Sequence, residues 1–199
     1  QAEDGIRDCL LSRGLGDVYK RQVGDKVYLV GRSHNELGAS EMAFMLKESG
    51  VAAGIGGTAP QLENPAHNLN MYRALSTAIQ NGLIQTAHDC SEGGVAVAVA
   101  EMCIGGRIGA TIDLDGTGDE DLWARMWGES LGRFIVAVTP EKEHEFTKWM
   151  AGHPLTILGE VVEDSTLTIN DGFTQVSTND VSALVHSWQS TLDMTGGVE

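Results

Sequence analysis

Between Thr86 and Gly94 the chain reads Thr-Ala-His-Asp-Cys-Ser-Glu-Gly-Gly, so that an imidazole, two carboxylates, a thiol and two hydroxyls precede a glycine pair. Apolar alternation ahead of it predicts a short strand over 84–89, and the small, apolar run from Val95 to Ile104 predicts a helix ended by Gly105-Gly106. A strand end, a polar turn and a helix start in that order suit an anion. Ser91 is a good N-cap, the helix terminus is partially positive, and the two glycines leave backbone N–H groups open to close approach. Ser91, Gly93 and Gly94 are the candidate residues for binding a phosphate or other anion, with His88, Asp89 and Glu92 as possible support. The same pattern also serves simply to pack a helix on a sheet, and Glu92 would repel a phosphate unless it points away or shares a cation. His88 beside Asp89 invites an acid–base reading, but neighbours on a strand point to opposite faces. A nucleophile-elbow pattern is absent, which leaves hydrolase chemistry without support. No catalytic residue is assigned.

Two further polar segments stand next to predicted elements. Gly31 to Glu41 feeds a helix N-terminus at which Ser40 and Glu41 can cap. Trp127-Gly128-Glu129-Ser130-Leu131-Gly132-Arg133-Phe134 joins a helix to a strand, and Arg133 is expected to pair with a carboxylate. His88 and Cys90 lack a second ligand pair at zinc-site spacing, so no metal site is proposed. Cys90 and Cys103 read as reduced thiols, the alternative being a disulfide or a metal pair.

These residues need elements to hold them. Strands are expected over 25–31, 84–89, 110–114, 133–138, 156–162 and 166–169. Helices are expected over 39–47, 65–82, 95–104, 122–127, 141–151 and 180–192. Strands and helices interleave throughout, which predicts an α/β (α+β) fold in layers.

Residues 1–22 are read differently. Gln1 to Asp8 is an in-frame translation of a short-read flow-cell adapter. Ser12 to Gln22 is an in-frame translation of a transposase primer with its mosaic end, and Cys9 to Leu11 lies where an index would sit. This stretch is expected to be an unstructured adapter artefact and to carry no fold information. The genuine sequence would then begin at Val23, as a fragment of a longer gene. The adapter stretch holds four acids and four bases, so the whole net charge of −15 belongs to the remainder. That acidity argues against a nucleic-acid partner, which usually needs a basic stripe. No apolar run approaches membrane-spanning length.

Three blocks together carry a family resemblance: HNELGASE at 34–41, HDCSEGGVAVAVAEM at 88–102 and WGESLGRFIVAVTPE at 127–141. In that order and at those separations they resemble the last domain of phosphoribosylformylglycinamidine synthase, the synthetase of purine biosynthesis. The similarity runs from about Val23 to about Ile169. The resemblance implies a three-layer mixed sheet flanked by helices, like the C-terminal domain of aminoimidazole ribonucleotide synthetase. It divides the chain into a synthetase domain at 23–170 and a C-terminal extension with a helix at 171–199, where no motif aligns. It also implies a cytoplasmic, ATP-dependent C–N ligase. ATP and magnesium activate the formamide oxygen of formylglycinamide ribonucleotide as an iminophosphate, which ammonia attacks to give the amidine. The expected partners are the missing N-terminal ATP-binding domains of the same chain, a glutaminase subunit and a small bridging subunit. In this family the catalytic His and the principal ATP and magnesium ligands lie mostly in the preceding domains. The fragment alone is therefore expected to bind no cofactor and to be inactive. The alternatives are a catalytically silent scaffold or docking domain, or a fragment of another ATP-dependent member of the superfamily.

Overall fold

The computed structural model describes residues 22–50, 57–62, 64–118 and 121–190. The adapter reading at 1–21, most of the loop Gly54-Ile55-Gly56-Gly57 and the tail beyond 190 lie outside the described residues. Seven strands form one sheet: β1 (Lys26–Val30), β2 (Thr86–Asp89), β3 (Gly109–Asp113), β4 (Phe134–Val138), β5 (Leu155–Val162), β6 (Thr166–Asp171) and β7 (Thr174–Asp180). Six helices accompany them: α1 (Glu41–Glu48), α2 (Pro65–Gln80), α3 (Gly94–Gly106), α4 (Leu122–Trp127), α5 (Pro140–Trp149) and α6 (Val181–Ser190). The strand order is β2-β4-β1-β5-β3-β6-β7. Only β3 and β6 run parallel; every other pair is antiparallel, so the sheet is mixed.

The period-2 alternation of the central strands divides the apolar residues between two cores. Val27, Leu29, Ile135 and Ala137 point to one face, where they meet α3, Met126 of α4, and Val181 and Val185 of α6. Tyr28, Val30, Val136 and Val138 point to the other, against Met71, Leu75 and Ala78 of α2 and Phe146 of α5. The α3 helix is apolar nearly all round, with Val95, Ala96, Ala98, Val99, Met102 and Cys103 buried, as a helix enclosed by neighbours should be. The arrangement is three layers over β1 and β4. It thins toward β6 and β7, where Thr168 and Thr178 share an exposed hydroxyl hydrogen bond of 3.0 Å on the sheet surface.

Local signals explain most boundaries. Asn64 caps α2 by accepting from the His67 N–H at 3.0 Å, with Pro65 in the first turn, where its missing N–H costs nothing. That helix stops in a paired closure: Gly82 N–H donates to Ile79 O and Leu83 N–H to Ala78 O, both at 2.9 Å. Ser40 caps α1, accepting from Ala43 N–H; the positive φ of Ala39 keeps that residue out of the helix.

Two features depart from expectation. The helix over 95–104 begins at Gly94, and its N-cap is Gly93 in the left-handed region with no side-chain capping bond, so Ser91 does not cap it. Strand β7 is absent from the periodicity reading. Thr-Gln-Val-Ser-Thr-Asn-Asp has no apolar face because β7 is an edge strand held mainly by its ladder to β6.

Phe146 is fully buried and meets the Tyr28 ring edge-on at a centroid distance of 5.4 Å. Phe146→Ala is expected to destabilise the protein by about 3–5 kcal/mol, read as a lowered urea midpoint at unchanged slope.

Candidate functional site

Strand β2 ends at Asp89, and its next amide, Cys90 N–H, donates to Arg133 O at 2.9 Å. The polar turn is thereby fixed to the end of β4. At the strand end the His88 ring lies between two carboxylates despite strand alternation: Nε2 is 3.0 Å from Glu101 Oε2, and Nδ1 is 3.5 Å from Asp89 Oδ1. The hydrogen bond to Glu101, reinforced by both carboxylate charges, holds the imidazole pKa above its ordinary value against the opposing effect of burial. The Asp89 carboxyl is held below its usual range, chiefly by the hydroxyl of Ser91, which donates to Oδ2. Ser91 and Glu92 are exposed, whereas Gly93 and Gly94 are buried. Cys90 is buried, which pushes its thiol up to about 12; it is protonated and unreactive at neutral pH. Cys90 and Cys103 are both free thiols.

The glycine amides are engaged within the chain. Gly93 N–H donates to Glu129 Oε1 at 2.9 Å, and the same oxygen accepts from Glu41 N–H at 2.9 Å. One carboxylate thus sits at the N-termini of both α1 and α3, where helix dipoles favour negative charge. Gly94 N–H donates to Ser91 O at 3.1 Å. A Cβ on Gly94 would meet Gly128 O at 2.5 Å and Met126 O at 2.8 Å, and φ there is +66°. The pair therefore brings α3 against the segment after α4. Of the residues singled out in the sequence, Asp89, Ser91 and Glu92 are the exposed ones at this turn.

Arg133 differs from expectation. It is 1% exposed, and its hydrogen bonds go to neutral groups: Nε to Ser130 O at 3.0 Å, Nη1 to Ser33 Oγ at 2.9 Å, and Nη2 to Gly128 O. Burial pulls its pKa down, while the charges of Glu36 and Glu129, with Cys90, act in the opposite sense. Ser130 Oγ also accepts from His34 N–H at 3.0 Å, tying the 31–36 loop to the 128–133 loop. Beside these loops lies a pocket of about 470 Å³ lined by Glu36, Gln61, Asn64, His67, Asn68 and His153, among others. Sequence reasoning passed over this pocket and the Glu129 brace. Both depend on residues that meet only after folding, such as Glu129 and Glu41. Among the described residues, no group of three or more His, Cys, Asp or Glu side chains is placed to hold a metal ion. No described helix is long and apolar enough to cross a membrane.

Comparison with known proteins gives a consistent pattern. The model of the family "AIR synthase related protein, C-terminal domain" matches residues 22–172. The phosphoribosylformylglycinamidine synthase subunit PurL of Limosilactobacillus reuteri (strain DSM 20016) is 35% identical over 171 residues, 85% of this chain and 21% of that protein. Thermotoga maritima PurL complexed with FGAR superposes with a TM-score of 0.67 at 22% identity, covering 83% of this chain and 28% of that one. The same protein complexed with ATP gives 0.63 at 20% identity, covering 85% and 27%. The chain spans about a fifth of the length of the curated relatives it matches.

Two outcomes follow. Because the folded pKa of His88 is raised above 6.5, its pairing stabilises the protein fully below about pH 6.5 and is lost as pH rises through the folded value. Glu101→Gln is expected to move the His88 titration down toward 6.5 by NMR and to remove this acid-side stabilisation, leaving stability above the folded pKa little changed. Gly94→Ala adds left-handed strain to overpacking against a carbonyl and is expected to cost roughly 2–4 kcal/mol by chemical denaturation.

Proposed function

Because the chain belongs to the AIR synthase related protein family through that family's C-terminal domain, we propose that it is the C-terminal part of a phosphoribosylformylglycinamidine synthase. The parent is an ATP-dependent C–N ligase that converts formylglycinamide ribonucleotide and glutamine-derived ammonia to the amidine. The observation that carries this reading is continuous 35% identity to a PurL subunit across 85% of the chain. The superposition on Thermotoga maritima PurL over 83% of the chain supports it at the level of the fold.

We assign ATP and magnesium to the preceding domains of the parent enzyme, as the family resemblance implies, and the isolated chain is expected to be inactive. This domain supplies a rigid wall, with residues 23–170 as the synthetase domain and 171–199 as a C-terminal extension with a helix. Ser91 stays the candidate contact with an anionic ligand, its hydroxyl exchanging Asp89 for the ligand, while the Gly93 amide is held by Glu129. Helix α1 buries none of its residues, and Phe44 and Met45 are 59% and 61% exposed. That supports a face covered by the preceding domains of the same chain. The glutaminase and small bridging subunits complete the proposed assembly, which works in the cytoplasm.

Sequencing the source DNA upstream of the codon for Val23 tests this directly. The expected result is an open frame running into an ATP-binding synthetase domain. The complete enzyme it encodes then forms the amidine in an ATP-dependent assay, and the 199-residue chain alone does not. A start codon immediately before Val23, or native DNA encoding QAEDGIRD, would overturn the reading.

A further inference from the structure

We propose that Asp115-Gly116 is a succinimide-forming site, the one Asx-Gly pair among the described residues that the fold leaves open to backbone rearrangement, and that conversion there loosens the 31–36 loop. The site does not depend on the ligase reading. In an Asx-Gly pair the glycine amide nitrogen attacks the side-chain carbonyl carbon of the residue before it, and glycine, having no side chain, leaves that nitrogen unobstructed. At Asp the N–Cγ bond forms as the protonated carboxyl loses water. At Asn the same bond forms as ammonia leaves. Water then opens the five-membered succinimide at either carbonyl, giving aspartate or its β-linked isomer, isoaspartate. For Asp the water lost is regained, so the reaction needs no other reagent.

Three such pairs lie among the described residues, at Asn81-Gly82, Asp115-Gly116 and Asp171-Gly172, and the fold treats them differently. Asn81-Gly82 closes α2: Gly82 N–H donates to Ile79 O at 2.9 Å, and Lys142 Nζ donates to Gly82 O. At Asp171-Gly172 the Gly172 N–H donates to Asp113 Oδ1 at 2.9 Å, while Arg125 holds the Asp171 carboxylate at 2.7 Å. The attacking nitrogen is engaged in both pairs, and in the second the carboxyl is also tied up as the anion. Asp115-Gly116 has neither hold. Both residues are exposed, and among the described residues neither the Gly116 N–H nor the Asp115 carboxylate has a hydrogen-bond partner. They form the centre of a turn from Leu114 to Thr117, closed by Thr117 N–H donating to Leu114 O at 3.2 Å, with Gly116 at φ +78°. The central amide of such a turn takes no part in its closure. A Cβ on Gly116 would meet nothing nearer than Thr156 Cγ2 at 4.0 Å, so the flank is open.

The turn also supports its neighbours. Leu114 is fully buried, and its N–H donates to Asn170 O at 2.9 Å. Thr117 is 2% exposed, and its carbonyl accepts from Ser33 N–H at 3.2 Å. Ser33 Oγ in turn accepts from Arg133. Isoaspartate at 115 inserts one methylene into the backbone between these two anchors, so Thr117 O shifts against Ser33 while Leu114 stays in the sheet.

The unaltered 199-residue chain is aged at physiological temperature and neutral pH, once folded and once in guanidinium chloride. Isoaspartate at each pair is followed by peptide mass spectrometry with electron-transfer fragmentation, which separates it from aspartate. Asp115 is expected to convert in the folded chain within about threefold of its rate in denaturant, whereas Asn81 and Asp171 are slowed at least about tenfold by the bonds that must open first. Equal protection of all three pairs, or Asp115 slowed as much as Asp171, would overturn the assignment of the site. In the purified isoaspartate form the Ser33 amide signal is expected to move and its hydrogen exchange to quicken. Asp115→Glu, whose longer side chain would have to close a six-membered ring, is expected to age without either change. An unmoved Ser33 amide in the converted protein, or the same movement in aged Asp115→Glu protein, would overturn the link to the loop.

Discussion

Arg133 places a permanent charge where water does not reach, and the loops around the candidate site are arranged to make that tolerable. A buried guanidinium carries a desolvation cost of several kcal/mol unless its donors are met. Here they are met by Ser130 O, Gly128 O and Ser33 Oγ, three groups on two loops far apart in sequence. Once those bonds are required, the conformation of 128–133 is constrained by its own carbonyls. The 31–36 loop must then bring Ser33 inward, and the amide of Cys90 finds Arg133 O. Glu129 and Glu36 flank the same charge, which is why each can stay buried or braced without a salt bridge. The turn after β2 is therefore a consequence of a polar core as much as of its own residues.

What was legible in the sequence was local. Alternation marked β1 and β4, the Asn64-Pro65 start and Asn81-Gly82 stop framed α2, and the small apolar run identified α3 as a buried helix. The three blocks at 34–41, 88–102 and 127–141 carried the family resemblance. What was not legible depended on partners supplied by the fold. Ser91 is chemically a good cap, but its hydroxyl is taken by Asp89 and the chain passes through a left-handed Gly93 before the helix begins. Arg133 was expected to meet a carboxylate, and backbone carbonyls of its own loop reached it first. Strand β7 left no apolar trace because only one of its neighbours is a strand. Its residues answer to solvent and to the β6 ladder.

The two faces of the sheet carry different duties. The α3, α4 and α6 face holds the larger core and runs from Ile135 across to Ile169. The α2 and α5 face closes chiefly over β1 and β4, with Ala87 of β2 and Leu155 of β5 at its margins. The candidate site and the Glu36 pocket both lie where the loops of this central pair of strands emerge, so they rest on the part of the sheet that is buried on both sides. Rigid support of this kind suits a surface that must hold its shape against a partner.

The polar edge at β7 has a consequence for how this molecule meets its own copies. An open ladder of N–H and C=O groups is a template for another strand, and sheet proteins usually guard it. Here the terminal strand presents Thr174, Gln175, Thr178 and Asp180 as exposed residues, and the hairpin tip carries a fully exposed Phe173. The opposite edge, β2, spans only four residues. Neither border offers a long apolar ribbon, so the domain resists growing into fibrils by edge addition even where its helical surface is apolar.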